Sequence, residues 1–134
     1  MAIRNIAVLI LYNDQKQFLL QHRSKDAPRL PNHWGFFGGG IEEGETPEQA
    51  LARELIEEIE YEVDAPQFVF AQKFMYGEDE NTKYVFVEKY DPRKDLIQHE
   101  GQGMGWWKLE DLDNLLVIPH DQTALSTVKK FLGE

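Results

Sequence analysis

Apolar and polar positions alternate along the chain in blocks that set out its elements. Ile3, Ala7, Val8, Leu9, Ile10, Leu11 and Tyr12 form a near-continuous apolar run, the pattern of a strand buried on both faces. Asn13-Asp14-Gln15-Lys16 interrupts it, and residues 17–23 return as a second strand of a hairpin. Residues 24–32 hold two prolines and several charges and read as an ordered loop. Residues 34–37 form a short strand ending in Gly38-Gly39-Gly40, a glycine turn ahead of a helix.

Thr46-Pro47-Glu48 is a helix start, with threonine as N-cap and proline in the first helical position, and the helix reaches about Ile59. Residues 66–76 and 82–90 are aromatic and β-branched runs joined by the polar turn Gly77-Glu78-Asp79-Glu80-Asn81, a second hairpin. Residues 91–103 read as loop, 104–108 as a short strand and 110–116 as a short helix. Leu125, Val128 and Leu132 give residues 120–132 a helical spacing, with Asp121 as a cap. Strands outnumber helices and do not alternate with them, which predicts an α+β or mixed-sheet sandwich rather than a βαβ repeat.

Length and composition narrow the function. The 134 residues suit a single domain spanning 1–134, and 42% apolar content supplies one core. No cysteine is present, so disulfides and thiolate metal sites are excluded, and a reducing cytoplasm is the expected setting. No segment approaches the roughly 18 apolar residues of a membrane span. No small-residue cleavage site follows residues 3–12, which therefore read as a strand and not a signal peptide. The net charge of −10 repels polyanions, which argues against nucleic acid as a partner. A phosphate substrate remains compatible when divalent cations lie between the two.

The chemistry concentrates in residues 39–61, GGIEEGETPEQALARELIEEIEY. At roughly 100° per helical residue, Glu57 lies near −60° and Glu58 near +40° of Glu54. Three carboxylates thus share one narrow face, with Leu51, Ala52, Leu55, Ile56 and Ile59 assigned to the opposite, core side. Like charges at this spacing destabilise an exposed helix, and hard divalent cations, which prefer carboxylate oxygens, would relieve them. Arg53 sits beside the cluster. Acidic helix faces are often merely solvated; the preceding glycines, which let backbone approach a ligand, favour a cation and phosphate platform.

This segment resembles the Nudix box, G-x5-E-x7-R-E-U-x-E-E-x-G-U, where U is a bulky apolar residue. Gly39, Glu45, Arg53, Glu54, Leu55, Glu57 and Glu58 occupy its fixed positions and Tyr61 its last apolar one. The match covers 23 residues, and the flanking elements suit the family's α/β/α sandwich, with a mixed, mostly antiparallel sheet between helices. Glu60 stands where the family has glycine. A glutamate in the left-handed conformation costs about 1 kcal/mol or more, so the helix is expected to run on or to end differently.

The resemblance implies a hydrolase that cleaves a phosphoanhydride bond of a nucleoside diphosphate derivative by attack of water on phosphorus, with Mg²⁺, or Mn²⁺, neutralising charge. It implies Glu54, Glu57, Glu58 and the Gly38 carbonyl as metal ligands. Arg53 and Glu45 would orient loop and helix within the catalytic motif, and Gly39 and Gly40 would approach the substrate. The resemblance also implies a general base, which is Glu100, in a His99-Glu100-Gly101-Gln102 loop similar to that of triphosphate-cleaving relatives, or Glu57, or another carboxylate. Arg23 is a candidate phosphate contact. His120 lies where some relatives read the base with asparagine, a departure that argues against assigning oxidised-guanine specificity.

Trp34, Phe36, Phe74 and Tyr76 could stack on a base, although strand aromatics are more often core. Trp106 and Trp107 are adjacent, so one should face in and the other out. The four histidines show no zinc spacing. The expected substrate is a (deoxy)nucleoside triphosphate, with ADP-ribose, a nucleotide sugar or a dinucleoside polyphosphate as alternatives. A nucleotide-binding module without catalysis is disfavoured by the intact carboxylates, and a calcium-binding domain by the absence of an EF-hand loop. The apolar first strand and exposed aromatics leave room for a homodimer.

Overall fold

A computed structural model describes residues 5–133, with the backbone alone for Tyr76; the expected strand residue Ile3 lies outside it. The elements in order are β1 (Ile6–Tyr12), β2 (Phe18–His22), β3 (Trp34–Gly35), β4 (Phe37–Gly40), α1 (Pro47–Ile59), β5 (Gln67–Tyr76), β6 (Asp79–Lys89) and β7 (Gly103–Trp107), followed by a 3₁₀ helix (Leu109–Asn114) and α2 (Pro119–Phe131).

The strands form one mixed sheet in the order β3-β2-β1-β6-β5, with β4 also paired to β1 and β7 to β2. Among the described strand pairs, β1 and β6 run parallel and the others antiparallel. Side chains of β1 alternate between two cores. Ala7, Leu9 and Leu11 pack with Leu51, Leu55 and Ile59 of α1, while Val8 and Ile10 pack with Leu125 and Val128 of α2. The expected sandwich of helices around a mostly antiparallel sheet is the fold, and β1 is buried on both faces as its unbroken apolar run requires.

Several local expectations change. The three glycines are not a turn: they are the body of β4, paired to β1 with Gly38 opposite Val8 and Gly39 opposite Ala7. The second hairpin turn shrinks to Gly77 and Glu78, because β6 already begins at Asp79. Asp121 does not cap α2. Ile118 occupies that position without a side-chain bond, and Asp121 is a buried residue of the helix's first turn. Trp107 packs into the α2-side core and Trp106 into the α1-side core, so both are partly covered because β7 lies between two layers.

Helix α1 begins with a reciprocal cap. The Gln49 N–H donates to Thr46 Oγ1 at 3.1 Å and the Thr46 N–H to Gln49 Oε1 at 2.9 Å. Its buried arc differs from the expected one. Ala50, Leu51, Leu55, Glu58 and Ile59 are buried, while Ile56 is 48% exposed. Taking Glu54 as origin, Ala50 lies near −40° and Leu51 near +60°, so Glu54 and Glu58 fall within the arc that faces the sheet rather than opposite it. The helix also ends where glycine would end it. Glu60 adopts φ 53°, ψ 34°, donating to the Ile56 carbonyl, and Tyr61 turns back to the Leu55 carbonyl. Tyr61 is buried and its hydroxyl donates to Glu88 at 2.9 Å, which helps hold this turn against the left-handed penalty.

Candidate active site

The loop between β4 and α1 is organised around Arg53. Its Nε donates to Glu45 Oε2 and its Nη2 to Glu45 Oε1, both at 2.9 Å. Nη2 also reaches the Gly40 carbonyl and Nη1 reaches Glu54 Oε1, again at 2.9 Å. Glu45 further accepts from the Glu42 N–H at 2.8 Å. The paired guanidinium holds the Glu45 carboxyl down at about 2, with the Glu42 N–H adding to it. The partly buried Arg53 therefore commits its donors inside the protein and acts on the geometry of the loop, and the Gly40 carbonyl is taken up in the same way.

The glycines of β4 are required by close approach. Gly38 holds φ +142°, and a Cβ there would lie 2.1 Å from the Ala7 carbonyl oxygen of β1. At Gly39 a Cβ would lie 2.5 Å from the carboxyl carbon of Glu54. A side chain at Gly38 would collide with the β1 backbone, and one at Gly39 would fill the space that the Glu54 carboxylate occupies.

A cavity of about 400 Å³ opens over this junction. Glu54, Glu58 and Glu100 line one end with Gly38 and Gly39, and Arg23 lies at its edge beside the loop that follows β2. A larger hollow of about 580 Å³, at the far ends of β1 and β6, contains no residue of the motif. Glu58 is buried, and its Oε1 accepts from the Gly38 N–H at 2.8 Å. Burial pushes the Glu58 carboxyl up to about 9, and the neighbouring Glu100 and Glu54 carboxylates add to the rise against the Gly38 N–H. Burial likewise raises Glu54, with Arg53 opposing and Glu57 and Glu100 reinforcing. Three acids thus press on one another at the cavity wall, and among the described residues the basic group bonded to them is Arg53, on Glu54.

The sequence-derived candidates divide accordingly. Glu54, Glu58, Glu100, Gly38, Gly39, Arg23 and His120 line one cavity. Glu57 does not. Its side chain is 58% exposed and lies 3.6 Å from Arg53 Nη1. Among the described residues no three His, Cys, Asp or Glu side chains are drawn together as a ready metal cage, since Arg53 holds Glu54 and the Gly38 N–H holds Glu58. The donors are nonetheless all hard oxygens and mutually repelling, which suits Mg²⁺ or Mn²⁺. The Arg23 Nε is engaged by the Arg29 carbonyl at 3.0 Å.

The opposite end of the cavity holds a cluster that sequence reading missed. Lys83, 0% exposed, bonds to both Asp121 Oδ1 and His120 Nδ1. Asp121 Oδ2 accepts from the Phe36 N–H at 3.2 Å. Burial pushes Lys83 down and Asp121 only partly offsets it; burial also opposes ionisation of Asp121, but His120 and Lys83 outweigh it and leave Asp121 below its usual range. The signal was there: Asn81, Lys83, Val85 and Val87 occupy successive inward positions of β6, so a lysine in that series had to be buried with a partner. Phe74 stacks on His120 at 4.3 Å and lines the cavity together with Phe36, which is also part of the core, whereas Trp34 stacks on His22.

Known proteins resemble the chain in sequence and in fold. The sequence profile of the NUDIX domain matches residues 1–131. The chain is 48% identical over 128 residues to the 8-oxo-dGTP diphosphatase of Escherichia coli strain K12, covering 93% of this chain and 95% of that protein. It is 48% identical over 58 residues to the RNA pyrophosphohydrolase of Sulfurovum sp. strain NBC37-1, a match spanning only 34% of that longer protein. The crystal structure of a MutT protein from Methanosarcina mazei Go1 superimposes with a TM-score of 0.86 at 19% identity, over 98% of this chain and 96% of that one.

Proposed function

The chain belongs to the Nudix hydrolase family, and from that premise we propose that it hydrolyses a (deoxy)nucleoside triphosphate to the monophosphate and pyrophosphate, using Mg²⁺. The observation that carries this reading is the convergence of Glu54, Glu58 and Glu100 on one cavity beside the glycine strand. Glu54, Glu57 and Glu58, with the Gly38 carbonyl, would hold the cation. When bound, Mg²⁺ neutralises phosphate charge and makes water a better nucleophile at neutral pH.

The chain's own residues do the rest. Glu100 lies beside Glu58 on the same cavity and accepts the proton of the attacking water. Arg23, at the cavity edge, pairs with phosphate oxygens. Phe74 and His120 form the wall against which the base rests. Arg53 and Glu45 fix the loop so that Glu54 keeps its place against Gly39. The whole-length Escherichia coli relative is named for an oxidised guanine nucleotide, which makes that nucleotide one arm of the test.

The test is product release from a panel of canonical and oxidised triphosphates, ADP-ribose, sugar nucleotides and dinucleoside polyphosphates, with Mg²⁺, for wild type and Glu54→Gln. Pyrophosphate and monophosphate from triphosphates, lost in the variant, support the reading. Turnover confined to ADP-ribose, sugar or dinucleoside substrates would replace the substrate class, and no turnover at all would defeat the hydrolase reading.

A further inference from the structure

Glu60 holds a left-handed backbone conformation that glycine adopts freely and a glutamate does not. The backbone bonds that close the helix there, Glu60 N–H to the Ile56 carbonyl and Tyr61 N–H to the Leu55 carbonyl, would form equally well with glycine. What glutamate adds is its side chain, whose Oε2 accepts a hydrogen bond from His99 Nε2. Strain of this kind persists where the surrounding structure uses it.

His99 precedes Glu100. Residues 97–102 form a strap that crosses from the end of α1 to β2. On the helix side, Ile97 N–H donates to the Ile59 carbonyl at 3.0 Å and His99 N–H to the Glu58 carbonyl at 2.8 Å. On the strand side, Gln21 Nε2 donates to the Glu100 carbonyl at 3.1 Å and Gln102 N–H to the His22 carbonyl at 2.8 Å. The Glu60–His99 bond is a side-chain tie on the helix side, one residue before the Glu100 carboxylate that lies beside Glu58.

We propose that Glu60 and His99 are positioning residues whose hydrogen bond latches the strap onto the end of α1 and thereby keeps Glu100 at the cavity. The proposal rests on the role given to Glu100 above. Glu60→Gly removes the latch and the strain together, so stability and turnover should part company. The variant melts no lower than wild type, turnover falls about fivefold at little-changed KM, and the Ile97 and His99 amides exchange with solvent faster by a similar factor, the scale of one exposed pair. Glu60→Gln, which keeps an acceptor for His99, restores most of both. His99→Ala matches Glu60→Gly in turnover and exchange but not in melting, because the strain at Glu60 stays, and the double variant is no slower than either single one.

Amide exchange and turnover both unchanged in Glu60→Gly would overturn the latch. Faster exchange at wild-type turnover would overturn its part in the reaction, as would lost turnover accompanied by a lowered melting temperature. Where the wild type turns over no nucleotide, the hydrolase reading fails by itself. Exchange then decides the latch: faster in Glu60→Gly and restored in Glu60→Gln sustains it, unchanged sinks it.

Discussion

Arg53 and Glu45 meet side by side, Nε to Oε2 and Nη2 to Oε1, each at 2.9 Å. This is the forked pairing that guanidinium geometry permits and an ammonium cannot reproduce. The same guanidinium holds Gly40 and Glu54, so one residue joins the loop, the glycine strand and the acidic wall of the cavity. Arg53→Lys keeps the charge and loses the fork. The expected result is a melting temperature lower by about 5 °C, the scale of one or two lost charge-assisted bonds in a chain of this size. An unchanged melting temperature would show that the fork does not organise the loop.

Glu58 supplies a pH dependence of definite sign. Its carboxyl in the folded protein is pushed up to about 9, chiefly by burial. Folding therefore favours the protonated form. That contribution is complete below the ordinary carboxyl range near 4.3 and fades as pH rises through about 9. The metal-free protein should lose thermal stability between about pH 5 and 9, and Glu58→Gln should flatten that fall. Mg²⁺ prefers the ionised carboxylate, so the stabilisation it confers should grow with pH across the same window. A flat metal-free profile, or a Mg²⁺ effect larger at pH 5 than at pH 8.5, speaks against this assignment.

The buried Lys83–Asp121 pair makes a different prediction. Lys83→Met leaves Asp121 without its ammonium in a fully covered position. A loss of roughly 3–5 kcal/mol is expected, since removing one partner strands a buried charge. Lys83→Met combined with Asp121→Asn should regain part of it, because asparagine stays neutral and can still accept from the Phe36 N–H. Denaturant unfolding of both variants checks this. A double variant less stable than the single one would contradict it.

Metal preference follows from the donor set. Ca²⁺ takes more ligands at longer distances and tolerates irregular geometry, whereas Mg²⁺ imposes a compact octahedron. With Glu54, Glu57 and Glu58 as its carboxylates, the site should turn over substrate markedly more slowly in Ca²⁺ than in Mg²⁺. Equal rates in the two ions would undo this prediction.

Much of the fold was legible because it rests on local patterns. The unbroken run at Ala7–Val8–Leu9–Ile10–Leu11 is what a strand between two helical layers needs, and Thr46-Pro47 with Gln49 sets the start of α1. The spacing of Glu54 and Glu58 pointed to one wall of the cavity, while Glu57, read with them, lies outside it. What could not be read depends on distant partners. Gly38 and Gly39 look like a turn until β1 is beside them. Asp121 looks like a cap until Lys83 arrives from β6, 38 positions earlier in the chain. Glu60 looks misplaced until the Tyr61–Glu88 bond and His99 compensate it. Helical angles showed that the carboxylates share a face, but only packing shows that this face borders the sheet, which covers Glu58 and leaves Glu57 out.

If these carboxylates serve a metal-dependent hydrolysis, Glu58→Gln should abolish it without unfolding the protein. Glutamine has the shape and neutrality of the protonated carboxyl that the metal-free protein carries at pH 7, and it can still accept from the Gly38 N–H. The variant should therefore fold as well as wild type, so any change in rate reports ligation rather than unfolding. The measurement is the initial rate of Mg²⁺-dependent triphosphate hydrolysis in both proteins, with melting recorded alongside. A fall of roughly 100-fold or more at an unchanged melting temperature is the expected result, in line with several kcal/mol of charge stabilisation. A folded Glu58→Gln protein that hydrolyses at the wild-type rate would contradict the account.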